Sequence, residues 1–313
     1  MRELIIGGRR IADDEPCYVI AEAGHNHGGS VPTARTMIQT AAACGVDAVK
    51  FQKRDNHGLY SPAMLAQPYD HEHSYGRTYG EHREALELGL PAYVACRAVA
   101  QAAKVAFFAT AFDERSADFL MELGVPAIKL ASGSLTDESL IRYVARLDVP
   151  LIVSTGGGEA REIDRAANWI AAQHMRFALL HCTAAYPVRN YAELNLRCIL
   201  TLCECYPDTV IGWSGHDTGT AMALVAYAFG ARIVEKHFTL SRAGKGTDHG
   251  FSLEPVGMRK LTKDLAMAHE AMGDGIKRFY PSEVGPISKM RRWLINGRWQ
   301  IGTAQEQMPK VCA

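Results

Sequence analysis

Residues 232–240 read RIVEKHFTL, and the reading of this stretch decides the fold. Ile233 and Val234 open it and Phe238 and Leu240 close it, the composition of a buried strand. Glu235, Lys236 and His237 interrupt that pattern. Successive strand residues face opposite ways, so Glu235 and His237 share one face and Lys236 takes the other. Taken alone, the cluster is a strand end running into solvent. It does not stand alone, because the same arrangement recurs along the chain.

Apolar runs appear at 18–24 (YVIAEAG), 48–52 (AVKFQ), 105–112 (VAFFATAF), 127–132 (AIKLAS), 151–156 (LIVSTG), 177–183 (FALLHCT), 209–216 (TVIGWSGH) and 232–238 (RIVEKHF). Near-continuous apolar runs of this length suit parallel strands buried on both faces. Helical patterns separate them. In TARTMIQTAAACGVD (33–47), Met37, Ile38, Ala41 and Ala42 share a face, and in REIDRAANWIAAQH (161–174), Ile163, Ala166, Ala167 and Ile170 do. Gly45, Gly124 and Gly230 stand where helices stop before the next strand. Eight βα units in series predict an α/β fold, a (β/α)₈ TIM barrel with a short C-terminal tail. An open doubly wound sheet is the alternative, but AEAGHNHGG (21–29) lacks the G-x-G-x-x-G spacing of a nucleotide turn. STGGG (154–158) reads equally as a phosphate loop or a flexible turn. We divide the chain into a barrel over 1–275 and a linker-like tail over 276–313. Residues 53–100 exceed an ordinary βα connection, are rich in His, Tyr and Arg, and are expected to shape the barrel mouth.

Bulk composition narrows the function. The 313 residues are 48% hydrophobic, with 34 basic and 34 acidic side chains, so neither nucleic acid nor an anionic membrane is an indicated partner. Eight Cys are scattered without a CxxC pair, which suits a reducing cytoplasm. MRELIIGGRRIADDEP carries early acids and only a short apolar run, unlike a secretory signal, and no stretch approaches membrane-spanning length.

The informative residues are the polar ones closing each strand: Glu22, Lys50, Thr110, Lys129 with Ser132, Ser154 with Thr155, His181 with Thr183, Ser214 with His216, and Glu235 with His237. In a (β/α)₈ barrel all eight carboxyl ends converge on one face, where active sites lie. Lys50, Lys129, Thr110, Ser132, Ser154 and Ser214 supply cations and hydroxyls suited to a phosphate and a carboxylate. His216, His237 and Glu235 suit a divalent metal such as Mn²⁺ or Mg²⁺. His181 reads as a hydrogen-bonded core histidine. Asp248 and His249, in the glycine-bearing loop RAGKGTDHGFSLEP, are placed to fold back over the mouth.

With those residues assembled, IAEAGHNHGGS, VKFQ, KLASGS, VSTGG, LHCTAAYP, GWSGHD, EKHFTL and TDHGFSLEP resemble the sialic acid synthase family of phosphoenolpyruvate-condensing enzymes, in order and on all eight strands. The resemblance implies a transferase that condenses phosphoenolpyruvate with a small-molecule aldehyde, the open-chain form of an amino sugar. The product is a sialic-acid-like 2-keto-3-deoxy acid, formed with C–O cleavage of the phosphate. By motif, Lys50, Thr110, Lys129, Ser132, Ser154 and Ser214 match the phosphoenolpyruvate-binding positions. His216 and His237 match the metal ligands, and Glu22 the carboxylate beside the reacting carbons. Tyr186 and Asp248 match sugar contacts, and Glu235 is expected to support His237. The resemblance also implies a homodimer.

Two departures stand out. The family usually reads K-I-G-S-G-E where this chain has KLASGS, so Ser134 occupies the acceptor-binding position of an acid. PSEVGPISKMRRWL (281–294) resembles the linker into a small antifreeze-like domain that lends an arginine to a partner's site, and the residues beyond it are expected to be too few for that domain. These departures predict an acceptor other than N-acetylmannosamine, with Arg77 and Arg83 of the insertion as contacts if the acceptor is anionic. A different metal-dependent barrel aldolase would explain the histidines but not the phosphate cradle. A non-catalytic barrel scaffold would not explain why the charged mouth residues are all present.

Overall fold

A computed structural model of the chain describes residues 2–301. An antiparallel hairpin opens it, β1 (Glu3–Ile6) with β2 (Arg9–Ala12), turning at Gly7 and Gly8. Leu4, Ile6 and Ile11 are buried, and Gly7 approaches Ala106 and Pro126, which lie at the N-terminal ends of barrel strands. The hairpin therefore covers the base of the barrel.

Eight parallel strands follow: β3 (Tyr18–Gly24), β4 (Ala48–Lys53), β5 (Ala106–Ala111), β6 (Ile128–Leu130), β7 (Leu151–Ser154), β8 (Phe177–Cys182), β9 (Val210–Gly215) and β10 (Ile233–His237). They close in chain order, β10 pairing with β3, so the expected (β/α)₈ barrel is the observed fold. Fully buried patterns on β3, β8, β9 and β10 reflect a filled interior on one side and a helical coat on the other. The coat comprises α1 (Val31–Ala43), α5 (Leu90–Ala102), α6 (Glu114–Leu123), α7 (Glu138–Ala145), α8 (Ala160–Ala171), α9 (Cys198–Cys205), α10 (Ala221–Ala228) and α11 (Pro255–Met272); α2 (Asn56–Leu59), α3 (Pro62–Leu65) and α4 (Tyr79–Leu86) lie in the insertion.

Local chemistry sets these boundaries. Asp113 caps α6 by accepting from Ser116 N at 2.7 Å, and Gly124 ends it at φ +72°, a conformation a Cβ disfavours. The buried faces of α1 and α8 hold Met37, Ile38 and Ala41, and Ala166, Ala167 and Ile170, as the periodicity predicts. Ala42 and Ile163, expected on those faces, are only partly buried. The fourth barrel strand is shorter than its apolar run, because the chain turns through a 3₁₀ helix over Ser132–Ser134.

The insertion is ordered by its own contacts. Thr78 and Glu81 form a capping box on α4, and the rings of Tyr69, Tyr79 and His82 pack together. The compact unit holding the barrel ends at His269 and a second unit begins at Glu270. The second unit contains α12 (Val284–Met290) and the antiparallel hairpin β11 (Arg292–Ile295) and β12 (Arg298–Ile301). The far part of the expected 276–313 tail, 302–313, lies outside the described residues. Among the described residues no helix is long and apolar enough to cross a membrane.

Candidate active site

A cavity of about 580 Å³ opens at the carboxyl ends of the barrel strands. Strand register builds its floor, pairing His237 with Glu22 and Glu22 with Lys50 on neighbouring strands. Lys50 Nζ lies 2.6 Å from Glu22 Oε2 and 3.7 Å from Glu235 Oε1, and donates to Thr110 Oγ1 at 2.7 Å. Lys129 Nζ donates to Ser154 Oγ at 2.6 Å. Four charged side chains are thus buried together, an expensive arrangement that demands compensation.

The two carboxylates are driven apart. Burial raises Glu22 to about 7, with the Glu235 charge adding to the rise and Lys50 opposing it. Burial acts the same way on Glu235, but Lys129 and Lys50 outweigh it and hold that group down to about 2. Two acids sharing a lysine, one ionised and one poised near neutrality, are the signature of divided acid–base roles. Burial pulls Lys129 below its ordinary value.

His216 and His237 stand with ring centroids 5.3 Å apart. Burial holds both near 3, so both imidazoles are neutral and able to ligate. His216 Nδ1 lies 3.0 Å from the Thr183 carbonyl, which fixes the proton there and leaves Nε2 as the lone-pair donor. His237 Nδ1 is buried without a hydrogen-bond partner and lies 3.7 Å from Asp248 Oδ2. No set of three or more His, Cys, Asp or Glu side chains converges among the described residues. Two neutral imidazoles facing a polar cavity, one with an orphaned nitrogen, fit the donor chemistry of a divalent ion, which His216 and His237 would hold. Glu235 does not support His237 directly. Its Oε1 accepts from Ser214 Oγ at 3.1 Å and lies 3.7 Å from Lys50 Nζ, so its contacts run to other strands.

The other expected residues fall around this core. Thr110, Ser132, Ser154 and Ser214 line the cavity, and Ser132 Oγ accepts from Gly156 N at 3.0 Å, which ties the STGGG turn to the floor. Tyr186, about half exposed, sets its ring 4.1 Å from that of His216. Asp248 lines the cavity from the glycine-bearing loop, which is tied to the insertion by Tyr75 Oη donating to Lys245 O at 2.6 Å. Ser134 corrects the sequence reading. It is buried and absent from the cavity lining, because the 3₁₀ turn carries the backbone away after Gly133. Arg83 lines the cavity, whereas Arg77 lies in a separate surface groove. His181 sits 2.7 Å from the Leu194 carbonyl outside the cavity, a core residue as expected. Lys236, on the opposite strand face, pairs with Asp217 at 2.8 Å, both 1% exposed.

Gln52, Arg54 and His25 were missed by sequence reasoning. Gln52 Nε2 donates to Glu22 Oε1 at 2.7 Å, and its Oε1 accepts from Arg54 Nη2 at 2.8 Å. The signal was available, since Lys50, Gln52 and Arg54 alternate onto one face.

Fold and site together define a barrel enzyme whose cavity gathers two buried lysines, two buried carboxyl groups and a set of hydroxyls at the carboxyl ends of its strands. More particularly, the chain belongs to the NeuB family, whose model matches residues 37–277. It is 35% identical over 288 residues to the N-acetylneuraminate-9-phosphate synthase of Mus musculus, covering 92% of this chain and 80% of that protein. It is 36% identical to the N,N'-diacetyllegionaminic acid synthase of Campylobacter jejuni, covering 88% and 84%. The crystal structure of N-acetylneuraminic acid synthetase from Leptospira borgpetersenii, in complex with citrate, superposes with a TM-score of 0.79 at 32% identity, covering 91% of this chain and 95% of that one.

Proposed function

We propose that this chain joins phosphoenolpyruvate to the open-chain aldehyde of an amino sugar, giving a 2-keto-3-deoxy acid and inorganic phosphate. The observation that carries the reading is the splitting of Glu22 and Glu235 across Lys50, beside the Lys129–Ser154 pair. Membership of a family of named synthases supports the same reaction class.

Lys50, Lys129 and the hydroxyls of Thr110, Ser132, Ser154 and Ser214 hold the phosphate and carboxylate of phosphoenolpyruvate. Its terminal methylene carbon attacks the aldehyde carbon, forming the C–C bond and leaving an oxocarbenium centre at C2. Glu235, ionised, stabilises that positive charge. Water adds to C2, and Glu22, poised near neutrality, takes the proton released. The tetrahedral intermediate then expels phosphate by breaking its C–O bond, which leaves the ketone. His216 and His237 would hold Mn²⁺ or Mg²⁺, which when bound supplies Lewis acidity at the aldehyde oxygen. Tyr186 and Asp248 contact the acceptor.

The named relatives differ, one being a 9-phosphate synthase and the other a diacetyllegionaminic acid synthase, so membership alone does not choose the acceptor. Seven free thiols among the described residues suit a reducing cytoplasm, and a homodimer is the assembly we expect. The test is turnover in ¹⁸O-water. Water attack at carbon leaves the released phosphate unlabelled, whereas label in the phosphate defeats the mechanism.

A further inference from the structure

The outer face of the last two barrel strands holds a buried ion pair that the condensation does not touch. Lys236 Nζ donates to Asp217 Oδ1 at 2.8 Å and to the Asp217 carbonyl at 2.6 Å, and both residues are 1% exposed. The ammonium also stands 5.4 Å from the centre of the Trp213 ring. Gly215 makes room for that ring, since a Cβ there would meet it at 2.0 Å. Neither Lys236 nor Asp217 lines the cavity. Burying two ions is costly, and well-packed apolar side chains of similar volume commonly serve stability as well or better. Stability alone does not account for the pair.

Its place in the chain supplies a reason. Asp217 directly follows His216, and Lys236 directly precedes His237. The pairing of β9 with β10 runs from Gly212 with Ile233 to Gly215 with Lys236 and stops there. His216 and His237 come one residue past that last paired position. His237 still registers with Glu22 of β3 on its other side. His216 lies beyond the end of β9, where its carbonyl accepts from Val188 N at 3.2 Å. Lys236 reaches across the gap that the ladder leaves open. Because it bonds to the main-chain carbonyl of Asp217 as well as to the carboxylate, it fixes the path of the chain leaving His216.

We infer that Lys236 and Asp217 are positioning residues that set the spacing of the His216 and His237 imidazoles, whose ring centroids stand 5.3 Å apart. The inference rests on the metal-holding role proposed above for those two histidines. With two imidazole donors a site has little redundancy, so its affinity depends on holding both at one spacing. A charge-assisted hydrogen bond has a defined length and direction, whereas apolar side chains in contact can slide.

The experiment reads metal affinity and stability separately. The full chain, stripped with chelator, is titrated with Mn²⁺ alone by calorimetry, and each variant is also unfolded in urea. Lys236→Met combined with Asp217→Leu removes both ions and the tie together. We expect it to unfold near the wild-type urea concentration but to bind Mn²⁺ about tenfold more weakly. Asp217→Asn should do the reverse, because its amide oxygen and main-chain carbonyl still accept from Lys236 while the opposite charge is gone. It should unfold at lower urea yet hold Mn²⁺ within about threefold of wild type. Lys236→Met with Asp217→Asn also breaks the tie and leaves no buried ion, so it carries the same expected loss should the first pair of changes prevent folding. Mn²⁺ affinity within about twofold of wild type in a folded double variant overturns the inference and leaves the metal site standing. An affinity that falls in step with stability across all the variants, Asp217→Asn included, overturns it too. A wild-type chain that takes up no Mn²⁺ overturns the metal assignment itself, and the inference with it.

Discussion

The floor of the cavity and its mouth wall are made differently. Glu22, Lys50, Lys129, Glu235 and His237 stand on or at the ends of hydrogen-bonded strands, where register leaves each one position. The wall from Tyr69 to Leu86 rests on a capping box, edge-on and tilted ring contacts, and the meeting of Tyr75 with Lys245 of the glycine-bearing loop. Every ionised group of the floor meets an opposite charge or a hydroxyl, whereas the two guanidiniums of the mouth lack a carboxylate. The difference teaches a division of labour. Charge on the strand ends is held by register and by opposite charge, the rigidity that chemistry requires, whereas the mouth wall is built on a connecting segment, the part of a barrel that varies most readily.

Breaking the floor should be the more costly. His237→Ala is expected to abolish metal retention and cut turnover by orders of magnitude, read from metal content and kcat. A fully active His237→Ala enzyme in excess chelator would remove the metal from the account. Glu22→Gln keeps the hydrogen bonding near Gln52 but loses the proton carrier, so turnover should fall by about 10²–10⁴ with phosphoenolpyruvate still bound. Binding lost in proportion to turnover would make Glu22 a ligand instead.

Asp217→Ala tests the outer face of the same strands. It strands the buried Lys236 cation and should cost about 3–5 kcal/mol in urea unfolding. A loss below about 1 kcal/mol would mean the pair is idle. Ser134→Ala should matter least, changing kcat/KM by no more than about twofold, because the side chain does not reach the cavity. A tenfold loss there would return Ser134 to the acceptor site.

The barrel was legible because apolar runs of strand length alternate with amphipathic helices, and burial on both strand faces leaves few other folds. The ends of those strands were legible for the same reason: Lys50, Lys129 and His237 interrupt apolar runs where only a shared site accounts for them. Shape was not legible. AIKLAS does not disclose that the chain bends after Leu130 and takes Ser134 out of the cavity, since a 3₁₀ turn over Ser-Gly-Ser depends on the packing around it. Nor could the neighbours of Glu235 be read from spacing, because Ser214 and Lys50 reach it through closure of the barrel.

By itself, then, the sequence determined the eightfold alternation, the strand ends that carry charge, and the family those motifs resemble. These are properties of periodicity and residue type along one chain. Tertiary structure alone decided which of two identical carboxyl groups is raised and which lowered, because that depends on burial and on the lysines that closure of the barrel brings near each. It also decided that Arg54 and Arg83, far apart in sequence, share one cavity, since charge placement in space is invisible in a chain whose 34 cations and 34 anions cancel.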